Sequence, residues 1–266
     1  MKIGIIGIGV VGRACQFGFE LLGHNVSVHD IALKTSIEDV LDTKIVYICV
    51  PTPQSEDGSC NTDIVKEVVL DLKNHNYSGI IAIKSTVTPG TTKKLRDETG
   101  MEICFVPEFL RERCAVTDFT ENHDVCIIGT SNDNAFDVVK ECHGTLPDKF
   151  VQLTASEAEF CKYFNNIYNA TLIVFANSFY EACKKNDVDY TNVKNAIINR
   201  KHISGNYLEC NDNFRGFGGM CLPKDLSAMA SLMKDSPIKF FENLIQENKK
   251  YKTTVFKGMR KWKKFL

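Results

Sequence analysis

The sequence predicts an α/β protein, with a doubly wound parallel sheet over residues 1–153 and a helical domain over residues 154–266 built on one long helix. Amphipathic segments such as 61–75 and 133–144 lie between strand-like runs. Buried strands that alternate with helices are typical of a parallel sheet covered by helices on both faces. Seven short apolar runs rich in β-branched residues carry this prediction, at 2–7, 25–29, 45–50, 79–84, 102–106, 124–129 and 150–153.

The character of the chain changes at residue 154. Segment 154–186 has apolar residues at helical spacing and contains neither glycine nor proline, which predicts the long helix. Two overlapping capping boxes, Thr154 with Glu157 and Ser156 with Glu159, predict where this helix begins.

A loop rich in glycine, asparagine and aspartate follows at 204–219, and helical patterns come after it at 223–234 and 237–264. The last stretch, 249–266, is strongly basic and has no acidic residue. We expect a solvated helix end there, and the alternative is a contact with an acidic partner.

Composition and charge exclude several classes of protein. The formal net charge of -1 gives no overall field for nucleic acid or a membrane surface, so neither is expected as a partner. No apolar run approaches the roughly 20 residues of a transmembrane helix, and the first residues lack the cleavage site of a signal peptide. The eleven cysteines form no Cys-x-x-Cys pair, which predicts free thiols in the reducing cytoplasm. Histidine and cysteine spacing predicts no metal site.

A glycine motif directly follows the first predicted strand, and it comprises Gly7, Ile8, Gly9, Val10, Val11 and Gly12. In a Gly-x-Gly-x-x-Gly turn the first glycine permits the tight turn, the second lets the backbone approach a pyrophosphate, and the third lets the helix pack closely on the strand. The helix that follows offers free N–H groups to the phosphates. The motif therefore predicts a Rossmann-like dinucleotide site.

Asp30 ends the second predicted strand, about 20 residues after the glycine motif, where such folds carry an acidic residue. An acid at this place accepts hydrogen bonds from a ribose 2′-hydroxyl and repels a 2′-phosphate, which favours NAD over NADP. Lys34 follows four residues later, and it is predicted either to contact the adenosine or to be a solvated lysine.

Five further segments occur in a fixed order along the chain. They are VPTP at 50–53, KSTVTPGT at 84–91, VPEFLRE at 106–112, the pair Lys162 and Asn166 on the long helix, and GFGGMCLPKD at 216–225. Together these segments resemble the UDP-glucose/GDP-mannose dehydrogenase family, and the resemblance runs from Met1 to about residue 250.

The resemblance implies a two-step oxidation in which the C6 alcohol of a nucleotide sugar becomes an aldehyde and then a carboxylate. Two NAD are consumed in turn, and Cys221 carries a thioester. A thiolate suits this chemistry because it holds an aldehyde as a thiohemiacetal, and a neighbouring cation such as Lys224 favours the thiolate form. Gly218 and Gly219 permit close approach of a substrate to the backbone. Without the surrounding segment 216–225, the favoured interpretation of Cys221 would be an inert buried thiol.

The resemblance also implies roles for residues outside the cysteine segment. Lys162 and Asn166 lie at i and i+4 on one helix face, and they match groups that stabilise an alkoxide and a tetrahedral oxyanion. Asp225 and Thr86 match positions that hold water, and Glu108 matches a catalytic glutamate. Which carboxylate acts as the base depends on burial and stays open.

Cofactor and substrate contacts follow from the same resemblance. The matched cofactor contacts beyond the glycine motif are Thr52, Thr86, Glu112 and Lys224. The matched substrate contacts are Glu108, Phe109, Leu110, Arg111, Glu112, Lys162, Asn166, Tyr207, Leu208 and Gly218. Where the family usually carries an arginine from the partner subunit, this sequence has His202, with Arg200 and Lys201 adjacent. A contact through His202 predicts pH-dependent binding, because a histidine charges only near its own pKa. The alternatives are that either neighbour substitutes or that the contact is lost.

Three functions are compatible with these residues. The favoured one is an NAD-dependent dehydrogenase of UDP-glucose that lacks the second doubly wound domain with which family members continue. The second is an incomplete or non-catalytic NAD-binding module that needs a partner chain for that domain. The third is a one-step 3-hydroxy-acid dehydrogenase, which needs no cysteine. The apolar surface of segment 154–186 exceeds what one chain buries, and it predicts a homodimer.

Overall fold

The computed structural model describes residues 1–251. Most of the basic stretch 249–266 and the end of the helix predicted over 237–264 lie outside the described residues. By internal contacts the chain divides into two compact units. The first unit comprises Met1–Ser55 and Cys60–Lys162, and the second comprises Glu56–Ser59 and the chain from Tyr163 on. The domain boundary predicted after residue 153 stays a prediction.

The first unit contains a seven-stranded sheet, and a strand lies in each of the seven predicted apolar runs. The strands are β1 (Lys2–Ile6), β2 (Asn25–His29), β3 (Ile45–Ile48), β4 (Ile80–Ile83), β5 (Ile103–Phe105), β6 (Cys126–Gly129) and β7 (Phe150–Leu153). Their order across the sheet is β2-β1-β3-β4-β5-β6-β7. This mostly parallel α/β sheet confirms the predicted fold class.

One strand pair departs from the predicted parallel arrangement. β6 lies antiparallel to β5, with Phe105 opposite Gly129. Between these strands the chain forms only a 3-10 turn, Glu112–Cys114, and the short helix α4 (Ala115–Thr120). Parallel neighbours require a crossover to the opposite edge of the sheet, whereas this connection returns at the edge where β5 ends. An apolar run carries no record of strand direction, so the sequence pattern could not distinguish the two cases.

Helices cover both faces of the sheet. They are α1 (Val10–Leu21), α2 (Asp63–Asn74), α3 (Thr91–Thr99), α5 (Asp133–His143) and the first turns of α6 (Ala155–Lys185). One buried cluster joins strand residues such as Ile5 to Phe19 of α1, Phe119 of α4 and Val139 of α5. The other joins strand residues on the opposite face to α2, α3 and Ala158 of α6. Alternating strand side chains supply the two clusters, as expected for strands buried on both faces.

The long helix α6 begins as one of its two predicted capping boxes requires. Glu157 accepts a hydrogen bond from the backbone N–H of Thr154 at 2.9 Å, and Thr154 Oγ1 accepts one from the N–H of Glu157 at 3.3 Å. The second predicted box, Ser156 with Glu159, is wrong. Glu159 accepts hydrogen bonds from residues near the start of α3, so its carboxylate does not cap its own helix.

The rest of the second unit is built from short helices. α7 (Tyr190–Ile197) was not predicted, because eight residues are too few to show a helical pattern. α8 (Leu222–Leu232) begins one residue before the predicted segment 223–234, and α9 (Phe240–Lys249) lies within the predicted segment 237–264. A small core of α6, α7 and loop residues includes Ala176, Tyr190 and Leu208. Among the helices of residues 1–251, none has the length and apolar character needed to cross a bilayer.

Candidate active site

The glycine motif forms the turn between β1 and α1, and its three glycines have different surroundings. Gly7 has a φ of 92°, and a Cβ there would lie 2.8 Å from the carbonyl of Cys49. A Cβ on Gly12 would lie 2.0 Å from the carbonyl oxygen of Gly7, so helix and turn are in closest contact there. A Cβ on Gly9 would meet nothing within 4 Å, so the backbone faces open space at the start of α1. This geometry fits a pyrophosphate at the helix N-terminus.

Asp30 lies beside the same turn, where β2 ends. Its carboxylate accepts the backbone N–H of Ile8 at 2.6 Å and that of Ala32 at 2.8 Å. The hydrogen bond from Ile8 is the main reason that the pKa of Asp30 is lowered from its ordinary value. The carboxylate therefore stays ionised at neutral pH and keeps further lone pairs, which suits the recognition of a ribose hydroxyl.

The remaining predicted cofactor residues of the first unit lie at strand ends or on the surface. Lys34 has a left-handed φ of 55°. Its side chain is exposed, which is compatible with both of its predicted roles. Val10 is exposed at the start of α1, while Val11 is half-buried. Thr52 follows β3 and is buried, and Glu112 is exposed. Their roles stay predictions.

Thr86 follows β4 in a loop that a distant side chain holds. Glu159 of α6 is fully buried, and its carboxylate accepts the N–H groups of Gly90 at 2.5 Å and Thr92 at 2.8 Å. It also accepts the Thr92 hydroxyl at 2.6 Å. Burial raises the pKa of Glu159, and these hydrogen bonds oppose that rise. The carboxylate also interacts favourably with the positive end of the α3 dipole. Through these bonds Glu159 fixes the loop that carries Thr86.

Glu108 and Lys162 form a buried ion pair in the first unit. Lys162 Nζ lies 2.6 Å from the backbone oxygen of Glu108 and 2.9 Å from its Oε1, and the two side chains are 4% and 11% exposed. Glu108 Oε2 also accepts the N–H of Leu110 at 2.8 Å. The structure thus brings together two of the predicted catalytic residues, a cation and a carboxylate in a poorly solvated place.

The segment from Glu108 to Glu112 has a second attachment. Asp118 of α4 accepts hydrogen bonds from the backbone N–H and the Nε of Arg111, each at 2.9 Å, and from its Nη2 at 2.6 Å. The Arg111 guanidinium lowers the pKa of Asp118 to about 2. Lys162 and Asp118 therefore hold opposite ends of this segment, while Phe109 and Leu110 between them are half-buried.

Cys221 differs from the other ten cysteines. All eleven lie within residues 1–251, none of them is in a disulfide, and Cys221 alone is exposed. It occupies the N-cap position of α8, so its thiol lies at the positive end of the helix dipole. The reading of Cys221 as a buried thiol is therefore wrong, and its reactivity stays a prediction.

Asp225 and Asn166 meet in the second unit. Asn166 Nδ2 donates to Asp225 Oδ2 at 2.6 Å, and Lys224 Nζ lies 2.7 Å from Asp225 Oδ1. Both Asp225 and Asn166 are buried. The backbone N–H of Asp225 also donates to the carbonyl of Cys221 at 2.9 Å, because the two residues lie one turn apart at the start of α8. Lys224, predicted beside the thiol, pairs with Asp225.

The predicted loop contacts of the substrate lie in several environments. His202 and Tyr207 are exposed, and Tyr207 has a left-handed φ of 64°. Leu208 is buried in the small core, and its carbonyl accepts the hydroxyl of Tyr190 at 2.8 Å. Gly218 is half-buried. Their roles in substrate binding stay predictions.

Four buried or half-buried residues that organise these parts were missed by sequence reasoning, namely Asp118, Glu159, Asn177 and Asn248. Asp118 binds the backbone seven residues before it, and the other three bind backbone segments more than 30 residues away in sequence. A polar residue on the apolar face of an otherwise amphipathic helix was the available signal. Among the described residues, no group of three or more His, Cys, Asp or Glu side chains could hold a metal ion.

Comparison with protein families gives two adjoining matches. Residues 31–146 match the NAD binding domain of the UDP-glucose/GDP-mannose dehydrogenase family, and residues 156–250 match the central domain of that family. The first match bears out NAD as the cofactor. The glycine motif at residues 7–12 precedes the matched range, so its geometry is an independent observation.

Individual relatives agree with the family matches. A UDP-glucose 6-dehydrogenase of Rickettsia bellii is 30% identical over 294 aligned positions, which cover 94% of this chain and 67% of the relative. The structure of a UDP-glucose dehydrogenase from Pyrobaculum islandicum has a TM-score of 0.85 at 26% identity, covering 94% of this chain and 68% of that one. The chain spans about two thirds of the length of the curated relatives it matches.

A structure of another class shares the fold. The 3-hydroxyisobutyrate dehydrogenase of Mycobacterium tuberculosis has a TM-score of 0.75 at 15% identity, covering 94% of this chain and 92% of that one. At this identity the likeness concerns the fold alone. It explains why a one-step hydroxy-acid dehydrogenase was compatible with the architecture predicted from the sequence.

Proposed function

The chain belongs to the UDP-glucose/GDP-mannose dehydrogenase family, and we propose that it oxidises the C6 alcohol of UDP-glucose to the carboxylate of UDP-glucuronate through a thioester on Cys221. The observation that carries this proposal is the exposed thiol of Cys221 at the start of α8, one turn before the buried Asp225. Relatives named for UDP-glucose support this sugar nucleotide as the substrate.

The proposed reaction has four covalent steps. The C6 alcohol loses a hydride and its hydroxyl proton and becomes an aldehyde. The Cys221 thiolate then adds to the aldehyde carbon, and the new alkoxide takes up a proton to give a thiohemiacetal. Loss of a second hydride and the hydroxyl proton gives the thioester. Water then attacks the thioester carbon, the C–S bond breaks, and UDP-glucuronate leaves with the thiolate restored.

NAD, when bound, accepts one hydride in each oxidation. The residues of the first unit that would hold it are the glycine turn, with the open space at Gly9, and the ionised Asp30 for the ribose. Asp30 is already oriented by the N–H of Ile8, so little side-chain freedom remains to be lost on binding.

The pair of Lys162 and Glu108 is proposed to act on the oxygen at C6. The Lys162 ammonium stabilises a developing alkoxide or oxyanion, because a cation in a poorly solvated place interacts strongly with new negative charge. Glu108 is suited to take up or relay the proton that leaves the hydroxyl, since its carboxylate is the partner of that ammonium. Whether Glu108 or Asp225 is the base is decided by the pH dependence of each variant.

The pair of Asn166 and Asp225 is proposed to serve thioester hydrolysis. Asp225 can orient a water near Cys221, since it lies one turn further along α8, and Asn166 fixes the direction of its carboxylate. Lys224 Nζ lies 2.7 Å from Oδ1 of the same carboxylate and restricts its orientation from the other side. Thr86, which follows β4 in the first unit, is proposed to hold a water during the reaction.

Counting reduced cofactor against product tests the proposal. The purified chain is mixed with NAD and limiting UDP-glucose, and NADH is measured by absorbance while the product is identified by mass spectrometry. Two NADH and one UDP-glucuronate per sugar are expected. NAD binding without turnover would favour a module that needs a partner chain for activity. A single NADH, formed from a 3-hydroxy acid and not from UDP-glucose, would favour the one-step dehydrogenase.

A homodimer through α6 is proposed as the assembly. Large apolar side chains lie along one face of this helix, and all of them are exposed: Phe160, Phe164, Tyr168, Phe175 and Phe179. Their spacing places them within one stripe of a 3.6-residue helix, and exposed apolar stripes of this size mark interfaces. Phe164 is 75% exposed, which makes it the most solvated member of the stripe.

Light scattering of Phe164→Asp tests the dimer. The wild-type chain should have a molar mass twice the 29.9 kDa of one chain. The variant should be a monomer, because a charge inside an apolar interface is costly to desolvate. Leu21→Asp, which changes an exposed apolar residue of α1, is the control and should leave the dimer intact. A monomeric wild-type chain would refute the assembly.

A cytoplasmic location is proposed as well, and it is supported by eleven cysteines that form no disulfide.

A further inference from the structure

We propose that two asparagines, Asn177 of α6 and Asn248 of α9, are positioning residues that hold the chain at residues 215–217 and thereby present Cys221 at the start of α8. This inference rests on the proposed role of Cys221 as the nucleophile. The two residues are called the asparagine clamp below. Neither belongs to a segment that predicted the active site.

Asn248 binds both polar groups of one backbone residue. Its Oδ1 accepts the N–H of Phe217 at 2.9 Å, and its Nδ2 donates to the carbonyl of Phe217 at 2.9 Å. An amide side chain that pairs in this way imitates a neighbouring β-strand, and it fixes both the position and the direction of the residue it binds. Phe217 itself is buried, so its side chain adds packing to this attachment.

Asn177 holds the two residues that come before. Its Oδ1 accepts the Nε of Arg215 at 2.7 Å and the N–H of Gly216 at 3.1 Å. Its Nδ2 donates to the carbonyl of Ile173 at 2.8 Å, which sets the direction of the amide. Asn177 is only 1% exposed, so water cannot replace these bonds without opening the fold.

The held segment cannot shift easily because its side chains are constrained too. The Arg215 guanidinium lies between the rings of Tyr180 at 4.8 Å and Tyr251 at 5.1 Å, and it pairs with Glu181. Gly216 has a left-handed φ of 62°, and a Cβ there would lie 3.0 Å from Asn248 Oδ1. The backbone therefore passes the asparagine clamp in a conformation that favours glycine.

Only residues 218–220 separate the clamped segment from Cys221. Gly218 and Gly219 have no side chain to pack, Gly219 has a φ of 81°, and Met220 is 76% exposed. A Cβ on Gly219 would meet nothing within 4 Å and the Met220 side chain is largely solvated, so these two residues add little order of their own. Cys221 is thus fixed from the α8 side by its carbonyl and from the other side by the clamp. Loss of the clamp leaves a longer mobile segment and a less well placed thiol.

Four variants separate positioning from a general effect on folding. Asn248→Ala removes both bonds to Phe217, and Asn248→Asp keeps an acceptor for the N–H but sets a carboxylate oxygen against the Phe217 carbonyl. Asn177→Ala removes both bonds to the segment. Asn177→Asp keeps an acceptor for both bonds beside Arg215 but sets its second carboxylate oxygen against the carbonyl of Ile173. Asn186→Ala is the control, since its Nδ2 donates to the carbonyl four residues back in the same way, at an exposed site.

The first measurement needs no catalysis. The full chain is treated with iodoacetamide at neutral pH, and alkylation of the Cys221 peptide is followed by mass spectrometry. We expect alkylation to slow about threefold or more in Asn248→Ala, Asn248→Asp and Asn177→Ala, because a thiolate displaced from a helix N-terminus loses the stabilising field there. Asn177→Asp should slow alkylation less than Asn177→Ala does, because it keeps both acceptor contacts, and Asn186→Ala should react within about twofold of the wild type.

The second measurement is the turnover number for UDP-glucuronate, with the affinity for NAD measured separately by fluorescence. The first three variants should lose about tenfold or more in kcat while NAD affinity is unchanged. Slower alkylation in these three variants, together with a wild type that does not turn over, would support the positioning role and count against the proposed function. Equal alkylation and equal kcat in Asn248→Asp and the wild type, with both folded by circular dichroism, would overturn the inference.

Discussion

Two glycine-rich stretches of this chain solve the same problem in different ways. Residues 7–12 are fixed by their own backbone, since Gly12 lies so close to the carbonyl of Gly7 that any side chain would collide. Gly216 and Phe217, at the start of the second stretch, are held by amide side chains that are 39 and 31 residues away in sequence. The first stretch also has remote bonds, such as the one from the N–H of Ile8 to Asp30, but its closest contact is within its own backbone. The second stretch depends on helices that form elsewhere in its unit.

The difference bears on what each stretch can tolerate. A turn held by backbone contact is destabilised when a single methyl group is added at the point of contact. A loop held by remote hydrogen bonds keeps its own sequence but moves when a distant residue changes. The predictions below test this contrast, in order of decreasing effect.

Gly12→Ala should have the largest effect on the first stretch. The added Cβ would lie 2.0 Å from the Gly7 oxygen, so the turn or α1 must move, at a cost of about 3 kcal/mol in the free energy of unfolding. NAD affinity should fall with it. Thermal unfolding and NAD titration measure the two effects.

Gly9→Ala is the matched control, since a Cβ there meets nothing within 4 Å. It should unfold like the wild type yet bind NAD more weakly, because the methyl group fills the space that the pyrophosphate would approach. Equal stability of the two alanine variants would contradict the account of the turn.

Glu159→Gln should have an intermediate effect and sharpen the contrast, because it tests a loop of the sheet-containing unit that is held remotely. The amide keeps one acceptor but turns an NH2 group toward a backbone N–H of Gly90 or Thr92. A buried donor then loses its partner, which costs about 2 kcal/mol in the free energy of unfolding. Glu157→Gln, in the same turn of α6 but exposed, should change stability by less than about 0.5 kcal/mol. Chemical denaturation of both variants decides the matter.

Asp118→Asn should have the smallest effect, and it depends on pH. Arg111 lowers the pKa of Asp118 to about 2, so the ionised carboxylate stabilises the fold above its unfolded pKa of about 4. That contribution is lost as pH falls toward 2. Because Arg111 is 52% exposed, solvent screens the pair, and we expect about 1 kcal/mol.

Denaturation curves at several pH values test this expectation. The wild type should be more stable than Asp118→Asn at pH 7, and the gap should close between pH 4 and pH 2. A gap that is constant across this range would mean that packing, and not the charge of Asp118, holds the segment from Glu108 to Glu112.

The same contrast explains what could be predicted from the sequence. All seven strands were predicted, because a buried strand shows itself in consecutive apolar residues. The glycine turn and Asp30 were predicted because their spacing is local. The antiparallel direction of β6 was not, since the direction of a strand depends on the connection before it. α7 was missed because it is too short to show a helical pattern.

The residues that hold the candidate site were harder to predict. Asn177 and Asn248 belong to no predicted motif, and only the folded chain shows which backbone segment each one binds. Glu159 was misread as a cap of its own helix, because a capping box and a long-range contact use the same residue type. A hydrogen bond between residues far apart in the chain produces no fixed sequence spacing from which it could be predicted.

The central claim is that Cys221 carries the sugar as a thioester, and product analysis of Cys221→Ser tests it most directly. The variant is mixed with NAD and UDP-glucose beside Cys161→Ser, which changes a half-buried cysteine of α6. Because serine is far less nucleophilic at neutral pH, Cys221→Ser should form no UDP-glucuronate beyond a trace, while Cys161→Ser behaves like the wild type. UDP-glucuronate formed by Cys221→Ser at the wild-type rate would contradict the account.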